Sequence, residues 1–282
     1  MRYNLTKKQD KSYPLWLACY IYYTKDPNEL LVDKILPLIN DIRDKGWARE
    51  YFFIRFVDKK GPHIRLRCKS DKLLIETKLK PMLRDAFPKS RFVIYRPELD
   101  RYGGENGIAV AEKIFQASSD VILSYLKENK EASYESILGF AFQLNMSMMV
   151  AFGMQKAEMA AFFNHMLSHN NTTSLEKKIS TQHTQIFLRL SHLMHTLEKD
   201  PTFDIVWFNT WLKEIKDSKT TLQKLYQNNM LNPLDPTKAH TQNPLWYLYE
   251  SYVHMNNNRL GIYNIDEQYI AYVIKQAVLY EQ

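Results

Sequence analysis

The character of this chain shifts near the paired glycines Gly103 and Gly104, from alternating strand and helix patterns to helical patterns almost throughout. Before the glycines, short aromatic and β-branched runs predict strands at about 14–23, 50–57, 63–68 and 91–95. Apolar residues at helical spacing predict the intervening helices, at about 28–45 and 71–86. A five-residue loop at 58–62 would join the two middle strands into a hairpin.

Helical spacing dominates the chain after these glycines. The predicted helices lie at about 108–127, 134–152, 155–168, 175–198, 204–227, 243–258 and 265–280. A strand-rich part followed by a helical part indicates an α+β fold, with a small, mostly antiparallel sheet packed against the helices. We expect a single domain over 1–282, with a β-rich part at 12–105 and a helical part at 106–282.

Composition excludes several classes of protein. With 45% hydrophobic residues, 13% aromatic residues and 8 glycines among 282, the chain is neither disordered, collagenous nor of low complexity. Its two cysteines, Cys19 and Cys68, lie far apart and form no metal-binding spacing, so neither a disulfide framework nor a zinc ribbon is available. This cysteine usage favours a reducing cytoplasm.

The N-terminus is polar, and no stretch approaches the ~18 uninterrupted apolar residues of a membrane span. We therefore expect a cytoplasmic protein without a membrane span. The net charge of +7 is compatible with a nucleic acid, an anionic surface or an acidic peptide as partner, and does not choose among them.

A first cluster of candidate residues lies in the predicted strand 63–68, which reads HIRLRC. Because side chains alternate between the faces of a strand, His63, Arg65 and Arg67 would project together. Such a row suits an anion site, since arginine binds carboxylates and developing oxyanions. A solvent-exposed face of an edge strand is the alternative.

A second cluster, PELDRYGG at 97–104, leaves a predicted strand and enters a helix. Glu98 and Asp100 are close enough in sequence to orient Arg101, or to neutralise it in a surface ion pair. The following GGENG matches neither common phosphate-binding glycine motif.

A third cluster, SYVHMNNNRLG at 251–261, ends a predicted helix. Its asparagines and glycine fit a helix C-cap, and His254 can be read as a core or surface histidine.

No metal site or cofactor is predicted. The histidine pairs 165/169 and 192/195 have helical spacing, but neither comes with a nearby Glu or Cys in a zinc pattern. The serine-hydrolase motif GxSxG is missing from the sequence as well.

Taken in order, these clusters resemble a known family. The segments WLACYIYY, FFIRFVDKKGPHIRLR, YRPELDRYGG with IFQASSD, and VHMNNNRLGI resemble the C-terminal glutamate-elimination domain of class I lanthipeptide dehydratases of the nisin type. The resemblance runs from about Trp16 to the C-terminus and is weakest at about 130–240. In that family, serine and threonine of a precursor peptide are glutamylated, and the elimination domain then expels glutamate to leave dehydroalanine or dehydrobutyrine.

The resemblance implies roles for individual residues. It identifies Arg67, Arg101 and His254 as catalytic. It assigns substrate binding to Arg65, which supports the catalytic arginines, and to His63, Glu98 and Arg259. Many relatives have a second histidine two residues after the first, and here that position is Asn256.

The implied chemistry suits these side chains. β-Elimination removes a weakly acidic Cα proton, so negative charge develops on the neighbouring carbonyl oxygen while a carboxylate departs. Arginines would stabilise both charges, and a histidine with a pKa of about 6.5 can move the proton. Because nearby arginines disfavour imidazolium, we expect His254 to act as a base, although a role as acid stays open.

The same resemblance implies partners. The substrate would be a glutamylated precursor peptide, in lanthipeptide or thiopeptide biosynthesis. Because 282 residues leave no room for the larger glutamylation domain, we expect a separate glutamyl-tRNA-dependent subunit, and no direct binding of nucleic acid by this chain. A homodimer is compatible with the sequence. Two alternatives are a pyridine-forming cycloaddition enzyme, whose relatives generally lack these arginines and this histidine, and a non-catalytic peptide-binding module.

Overall fold

The computed structural model of the protein describes residues 15–168, 182–199, 203–231 and 243–280. The chain divides into two compact units, Met1–Arg96 and Pro97–Gln282. The first contains an antiparallel sheet with helices and the second is helical, which confirms the α+β class.

The sheet of the first unit has four strands. They are β1 (Leu15–Tyr22), β2 (Glu50–Asp58), β3 (Gly61–Ser70) and β4 (Arg91–Ile94). All neighbouring strands are antiparallel, in the order β2-β3-β1-β4. With one helix between β1 and β2 and another between β3 and β4, this is the ferredoxin-like βαββαβ arrangement.

Each of these helices is interrupted by a π-helical segment. Helix α1 consists of Pro27–Leu30, π-helical Leu31–Ile35 and Leu36–Asp44. Helix α2 consists of Lys72–Leu74, π-helical Ile75–Leu79 and Lys80–Ala86. Prolines at 37 and 81 follow the π-helical segments. Because proline has no N–H and crowds the carbonyl four residues earlier, a wider turn before it accommodates the ring.

The hairpin between β2 and β3 is tighter than the sequence predicted. Asp58 pairs with Gly61, so the turn is Lys59-Lys60 rather than a five-residue loop. The carboxylate of Asp58 accepts a hydrogen bond of 2.8 Å from the Lys60 backbone N–H, and Gly61 adopts a φ of +114°. This local bond lets both strands continue to the turn.

One face of the sheet packs against the helices. Tyr51 lies under the guanidinium of Arg43 on α1, and Arg55 donates to Asn28 on the same helix at 2.6 Å. On the same face, Phe92 contacts Arg84 on α2. The opposite face therefore carries His63, Arg65 and Arg67.

The second unit begins with a short 3-10 helix, Leu99–Arg101. The helices that follow are α3 (Gly104–Glu128), α4 (Tyr134–Ala151), α5 (Lys156–Ser168), α6 (Gln182–Lys199), α7 (Val206–Gln227), α8 (Trp246–Leu260) and α9 (Ile265–Leu279). Helix α8 packs against α3 and α4, and α9 packs against α4, α5 and α6. Across the described ranges, none of the helices has both the length and the apolarity needed to span a bilayer.

Candidate active site

The face of the sheet opposite α1 and α2 combines cations with aromatic rings. Strand register places Arg65 opposite Tyr20 and Ile54, and Arg67 opposite Ala18 and Phe52. The aromatic residues of this face are Trp16, Tyr20, Tyr22, Phe52, Phe56 and Tyr95, and its cations are Arg65, Arg67, Lys69 and Arg91. The row expected from the HIRLR pattern is thus present.

Arg67 is supported by a group of three rings. Its guanidinium carbon lies 4.5 Å from the ring centre of Tyr95 and 5.0 Å from that of Phe52. Trp16 packs edge-on against both rings, at 5.6 Å and 5.0 Å between centroids. Cation–π contacts of this kind favour a guanidinium lying across the rings, so the charge of Arg67 is kept at one place on the sheet.

His63 lies beneath Arg65 and is 0% exposed. The rings of Tyr20 and Tyr22 lie 4.8 Å and 4.7 Å from it, and burial lowers the pKa of His63. Its Nδ1 is 3.1 Å from the carbonyl oxygen of Gly61, so Nδ1 carries the hydrogen. The free pair on Nε2 then accepts from Nε of Arg65 at 3.4 Å. Substrate binding by His63 stays a prediction; the structure gives it Arg65 as its partner.

In the second unit, Arg101 lies at a backbone-constrained entry to α3. Gly103 and Gly104 have φ values of +78° and +80°. A Cβ on Gly107 would overlap the carbonyl oxygen of Tyr102, so glycine is required there. The tight turn that follows Arg101 therefore fixes where its side chain leaves the backbone.

The guanidinium of Arg101 is held by its edge. Its Nε donates to the hydroxyl of Ser251 on α8 at 3.0 Å. A longer, exposed contact of 3.5 Å joins its Nη1 to Glu98. The predicted pairing of Glu98 with Arg101 is therefore present, and substrate binding by Glu98 stays a prediction.

His254 lies one helical turn after Ser251 on α8 and pairs with a carboxylate from α9. Its Nδ1 is 2.9 Å from Oε1 and 3.3 Å from Oε2 of Glu267. A carboxylate accepts here, so Nδ1 carries the hydrogen and Nε2 is the basic nitrogen. The side chain of His254 is 40% exposed and that of Glu267 is 20% exposed. The side chain of Arg101 therefore contacts α8 at Ser251, one turn before His254.

Sequence reasoning missed Glu267. The residue lies in the first turn of α9, whose N-cap, Asn264, has φ 53° and ψ −113°. Non-glycine residues rarely adopt this conformation, and such strain is often found near functional sites. The neighbouring Asp266 accepts from the Tyr134 hydroxyl on α4 at 2.6 Å, which fixes the start of α9. An Asp-Glu pair at a predicted helix start, shortly after His254, was the available signal.

Arg259 lies inside the second unit rather than at its surface. It is 0% exposed, and its Nε donates to Ser119 at 3.2 Å while Nη1 donates to the carbonyl of Met255 at 2.9 Å. Its ring neighbour is Phe115, at 5.1 Å. Substrate binding by Arg259 stays a prediction; the contacts in the structure are those of a buried group joining α8 to α3.

The asparagine run of α8 is also buried, and Gly261, with φ +82°, forms the C-cap that the sequence suggested. Asn256 accepts from the hydroxyl of Ser118 at 2.6 Å. Asn145 on α4 donates to Asn257 at 2.8 Å and accepts from Asn256 at 3.3 Å. This buried network joins α3, α4 and α8, the helix that carries His254.

No group of three or more His, Cys, Asp or Glu side chains in the described parts of the chain is arranged to hold a metal ion. Of the histidine pairs noted in the sequence, His169 lies outside the described residues. The described members are His165, whose ring lies 6.3 Å from that of Trp246, and His192 and His195 on α6.

Comparison of the sequence with known proteins gives a family match over nearly its whole length. The family described as "Lantibiotic biosynthesis dehydratase C-term" matches residues 16–278, which confirms the resemblance drawn from the four segments. The nisin biosynthesis protein NisB of Lactococcus lactis subsp. lactis is 24% identical over 290 residues. That alignment includes 100% of this chain but only 27% of NisB.

Three solved structures have a similar fold. The tRNA-dependent lantibiotic dehydratase MibB of Microbispora sp. 107891 is 18% identical, with a TM-score of 0.68 over 97% of this chain and 29% of MibB. TsrL is 17% identical, with a TM-score of 0.66 over 94% of each chain. TbtD, a pyridine synthase from thiomuracin biosynthesis, is 13% identical, with a TM-score of 0.70 over 94% of this chain and 97% of TbtD. At these identities, the likeness establishes the fold alone.

Proposed function

The chain belongs to the lantibiotic biosynthesis dehydratase C-terminal family, and from that premise we propose that it eliminates glutamate from a glutamylated precursor peptide. The reaction would convert glutamylated serine or threonine into dehydroalanine or dehydrobutyrine. The chain would act as the lyase subunit of a split peptide dehydratase.

One observation carries the proposal: the guanidinium of Arg101 binds Ser251 on α8, one helical turn before the partly exposed His254. Nε of Arg101 binds Ser251, and His254 follows one turn later with its Nδ1 on Glu267. A base beside a fixed cation is what β-elimination next to a carbonyl needs, because the proton leaves as negative charge grows on the oxygen.

His254 would act as the general base. Its Nε2 takes the Cα proton of the glutamylated residue, and the electrons of that C–H bond form the Cα=Cβ double bond. The Cβ–O bond breaks, and glutamate leaves with both electrons of that bond as a carboxylate. The imidazolium that forms is stabilised by Glu267, and it later returns the proton to solvent or to the leaving group.

Arg101 would stabilise the negative charge that develops during this step. The Ser251 contact occupies Nε, so the two terminal nitrogens form the edge that would face an oxyanion or the departing carboxylate. Removal of a single oxyanion-binding donor typically slows enzymes by about 10²- to 10³-fold.

The family resemblance predicts that Arg67 is catalytic and that Arg65 binds substrate, and we retain both roles in the proposal. What the structure adds is their support within the first unit, by the rings of Tyr95 and Phe52 for Arg67 and by Phe56 at 3.3 Å for Arg65. Aromatic faces hold a guanidinium without neutralising it, which suits a group that must attract an anion.

The partners follow from the same proposal. The substrate would be a ribosomal precursor peptide that a separate glutamyl-tRNA-dependent subunit has glutamylated. We assign glutamylation to a separate subunit on the family resemblance, in which glutamylation and elimination belong to different domains. The chain itself spans 27% of NisB and 29% of MibB.

The second candidate function is a pyridine-forming cycloaddition between two dehydroamino acids. It is favoured by the fold likeness to TbtD, which covers 94% of this chain and 97% of TbtD. The presence of Arg67, Arg101 and His254 together favours elimination, because the resemblance implies that cycloaddition enzymes generally lack this set.

A co-production experiment tests the proposal. Precursor peptide made with the glutamylation subunit and the wild-type chain should be dehydrated, whereas His254→Ala should leave glutamylated peptide. Since His254 is partly exposed, the variant should keep its fold, which circular dichroism and thermal unfolding would check. Normal dehydration by a folded His254→Ala protein would contradict the assignment.

A further inference from the structure

Ser251 is a buried hydroxyl that contacts a predicted catalytic group. It is 3% exposed, lies in the middle of α8, and accepts the Nε–H of Arg101 at 3.0 Å. The same hydroxyl is 3.2 Å from the carbonyl oxygen of Tyr247 one turn earlier, to which its own hydrogen is donated. Both hydrogen-bonding roles of Ser251 are thereby used, and its orientation is fixed.

The bond at Nε determines which way the guanidinium points. The five N–H donors of arginine lie in one plane, so holding Nε from the side sets the direction of the two terminal nitrogens. The Tyr102 ring, 5.9 Å from the guanidinium carbon, supports the group as well. A further contact of the guanidinium, from Nη1 to Glu98 at 3.5 Å, is exposed and therefore weak.

Ser251 also sets the distance between Arg101 and the histidine. It lies three residues before His254, which is about 4.5 Å along the helix axis and about 60° around it. A single rigid helix therefore carries both the acceptor that orients the arginine and the base.

We infer that Ser251 is a positioning residue that orients the guanidinium of Arg101 toward the atoms on which His254 acts. This role rests on the proposed elimination. Ser251 would not touch the substrate; it acts through Arg101, by its contact with Nε.

The kinetic test compares Ser251→Ala with Ser251→Thr. Alanine removes the acceptor and should lower the single-turnover rate constant of glutamate elimination by about 10- to 100-fold, as misplacement of a catalytic group does. The KM for glutamylated peptide should change little. Threonine keeps a hydroxyl that can bond in a helix, so it should restore most of the rate.

Two further variants separate positioning from stability. In an Arg101→Lys background there is no Nε–H to orient, so adding Ser251→Ala should cause no further loss of rate. Ser147→Ala is the matched control, because Ser147 is another buried helical serine, in α4. It should leave the elimination rate unchanged.

A spectroscopic measurement tests the contact without relying on activity. In ¹⁵N-labelled protein, the Nε–H signal of Arg101, identified by its loss in Arg101→Lys, should be protected from exchange with water. Ser251→Ala should remove that protection, and Ser147→Ala should not.

The outcomes distinguish the two proposals. If wild-type protein eliminates glutamate and Ser251→Ala does so at the same rate, or if the losses add fully in the Arg101→Lys background, the positioning role is wrong while the proposed function stands. If wild-type protein releases no glutamate, the proposed function fails and the role of Ser251 in it fails with it. A protected Nε–H would then show a purely structural contact.

Discussion

Arg67 in the first unit and Arg101 in the second are supported in different ways. The guanidinium of Arg67 lies across the faces of Tyr95 and Phe52, whereas that of Arg101 is bound at its edge by Ser251. A ring face attracts a cation with little preference for its rotation in the plane, while a hydrogen bond at Nε sets that rotation. We therefore expect Arg101 to supply charge in a set direction, while the rings of Tyr95 and Phe52 hold the charge of Arg67 at one place on the sheet.

The histidines of the two units show a parallel contrast. His63 is fully buried, neutral by its burial, and accepts from Arg65. His254 is partly exposed and has a carboxylate on Nδ1, which leaves Nε2 as its basic nitrogen. His254 is accessible to a reacting proton and can serve as a base, whereas the buried His63 can only support Arg65.

After His254→Ala, the largest effect is expected from Arg101. Arg101→Ala should slow glutamate elimination by about 10²- to 10³-fold, because a fixed donor to the developing oxyanion is lost. Arg101→Lys should recover only part of the rate, since lysine keeps the charge but not the planar fork. Rates are measured by mass spectrometry in single turnover. Arg84→Lys, beside Phe92 on the helix-covered side of the sheet, is the control that should behave like wild type. Full activity of Arg101→Lys would show that the direction of the Arg101 guanidinium does not matter for elimination.

The next effect concerns the carboxylate on His254. Glu267→Gln should lower the elimination rate constant by about 10- to 100-fold, because Glu267 fixes the orientation and tautomer of His254 as the carboxylate partners of metal-bound histidines do, whose loss has that effect. The loss should be smaller than that of His254→Ala. Glu135→Gln, an exposed acid at the start of α4, serves as the matched control. A Glu267→Gln enzyme as fast as wild type would show that the pair only joins α8 to α9.

A smaller effect is expected from the rings under Arg67. Tyr95→Leu removes one face of the cation–π contact and should lower the rate by about 2- to 30-fold, corresponding to ~0.5–2 kcal/mol. Tyr95→Phe keeps the ring and should retain the wild-type rate. Loss of activity in Tyr95→Phe would mean that the hydroxyl, rather than the face of the ring, is what matters.

The smallest effect is a change of stability with pH. Burial lowers the pKa of His63 in the folded state, so the unfolded chain binds more protons in acid. The stabilising contribution of neutral His63 is complete above the unfolded pKa of about 6.5 and is lost as pH falls below it. Wild-type protein should therefore lose more free energy of unfolding between pH 7 and pH 5 than His63→Phe, as urea denaturation would measure. If the free energy of unfolding changed equally with pH in both proteins, a neutral His63 would be contradicted.

Periodicity was sufficient for most elements of the fold. The predicted helix at 134–152 is observed as Tyr134–Ala151, and the predicted strand at 91–95 as Arg91–Ile94. The helix is rich in apolar residues over a length typical of helices, and the strand is a short aromatic and β-branched run, so the local sequence contains the signal. The hairpin turn was predicted too long, because the hydrogen bond that the Lys60 N–H donates to Asp58 cannot be read from apolar spacing.

Only those residues of the candidate site that lie in recognisable sequence motifs could be predicted. Arg101 and His254 came from the family resemblance, and their relation to α8 depends on Ser251, which is 150 residues from Arg101 in the chain. Glu267 and the network of Asn145 with Asn257 also join residues on different helices. Pairings of this kind arise from helix packing, which a single sequence does not record. Burial of Arg259 was missed for the same reason, since its partner Ser119 lies on α3.

The most direct measurement is to mix purified protein with a glutamylated precursor peptide and follow the mass of the peptide over time. Elimination predicts loss of glutamate with formation of dehydroalanine or dehydrobutyrine by the wild-type protein, and none by His254→Ala. A peptide that binds or does not bind but keeps its glutamyl group would contradict glutamate elimination. Formation of a macrocycle from a dehydrated peptide, without any elimination of glutamate, would contradict it as well.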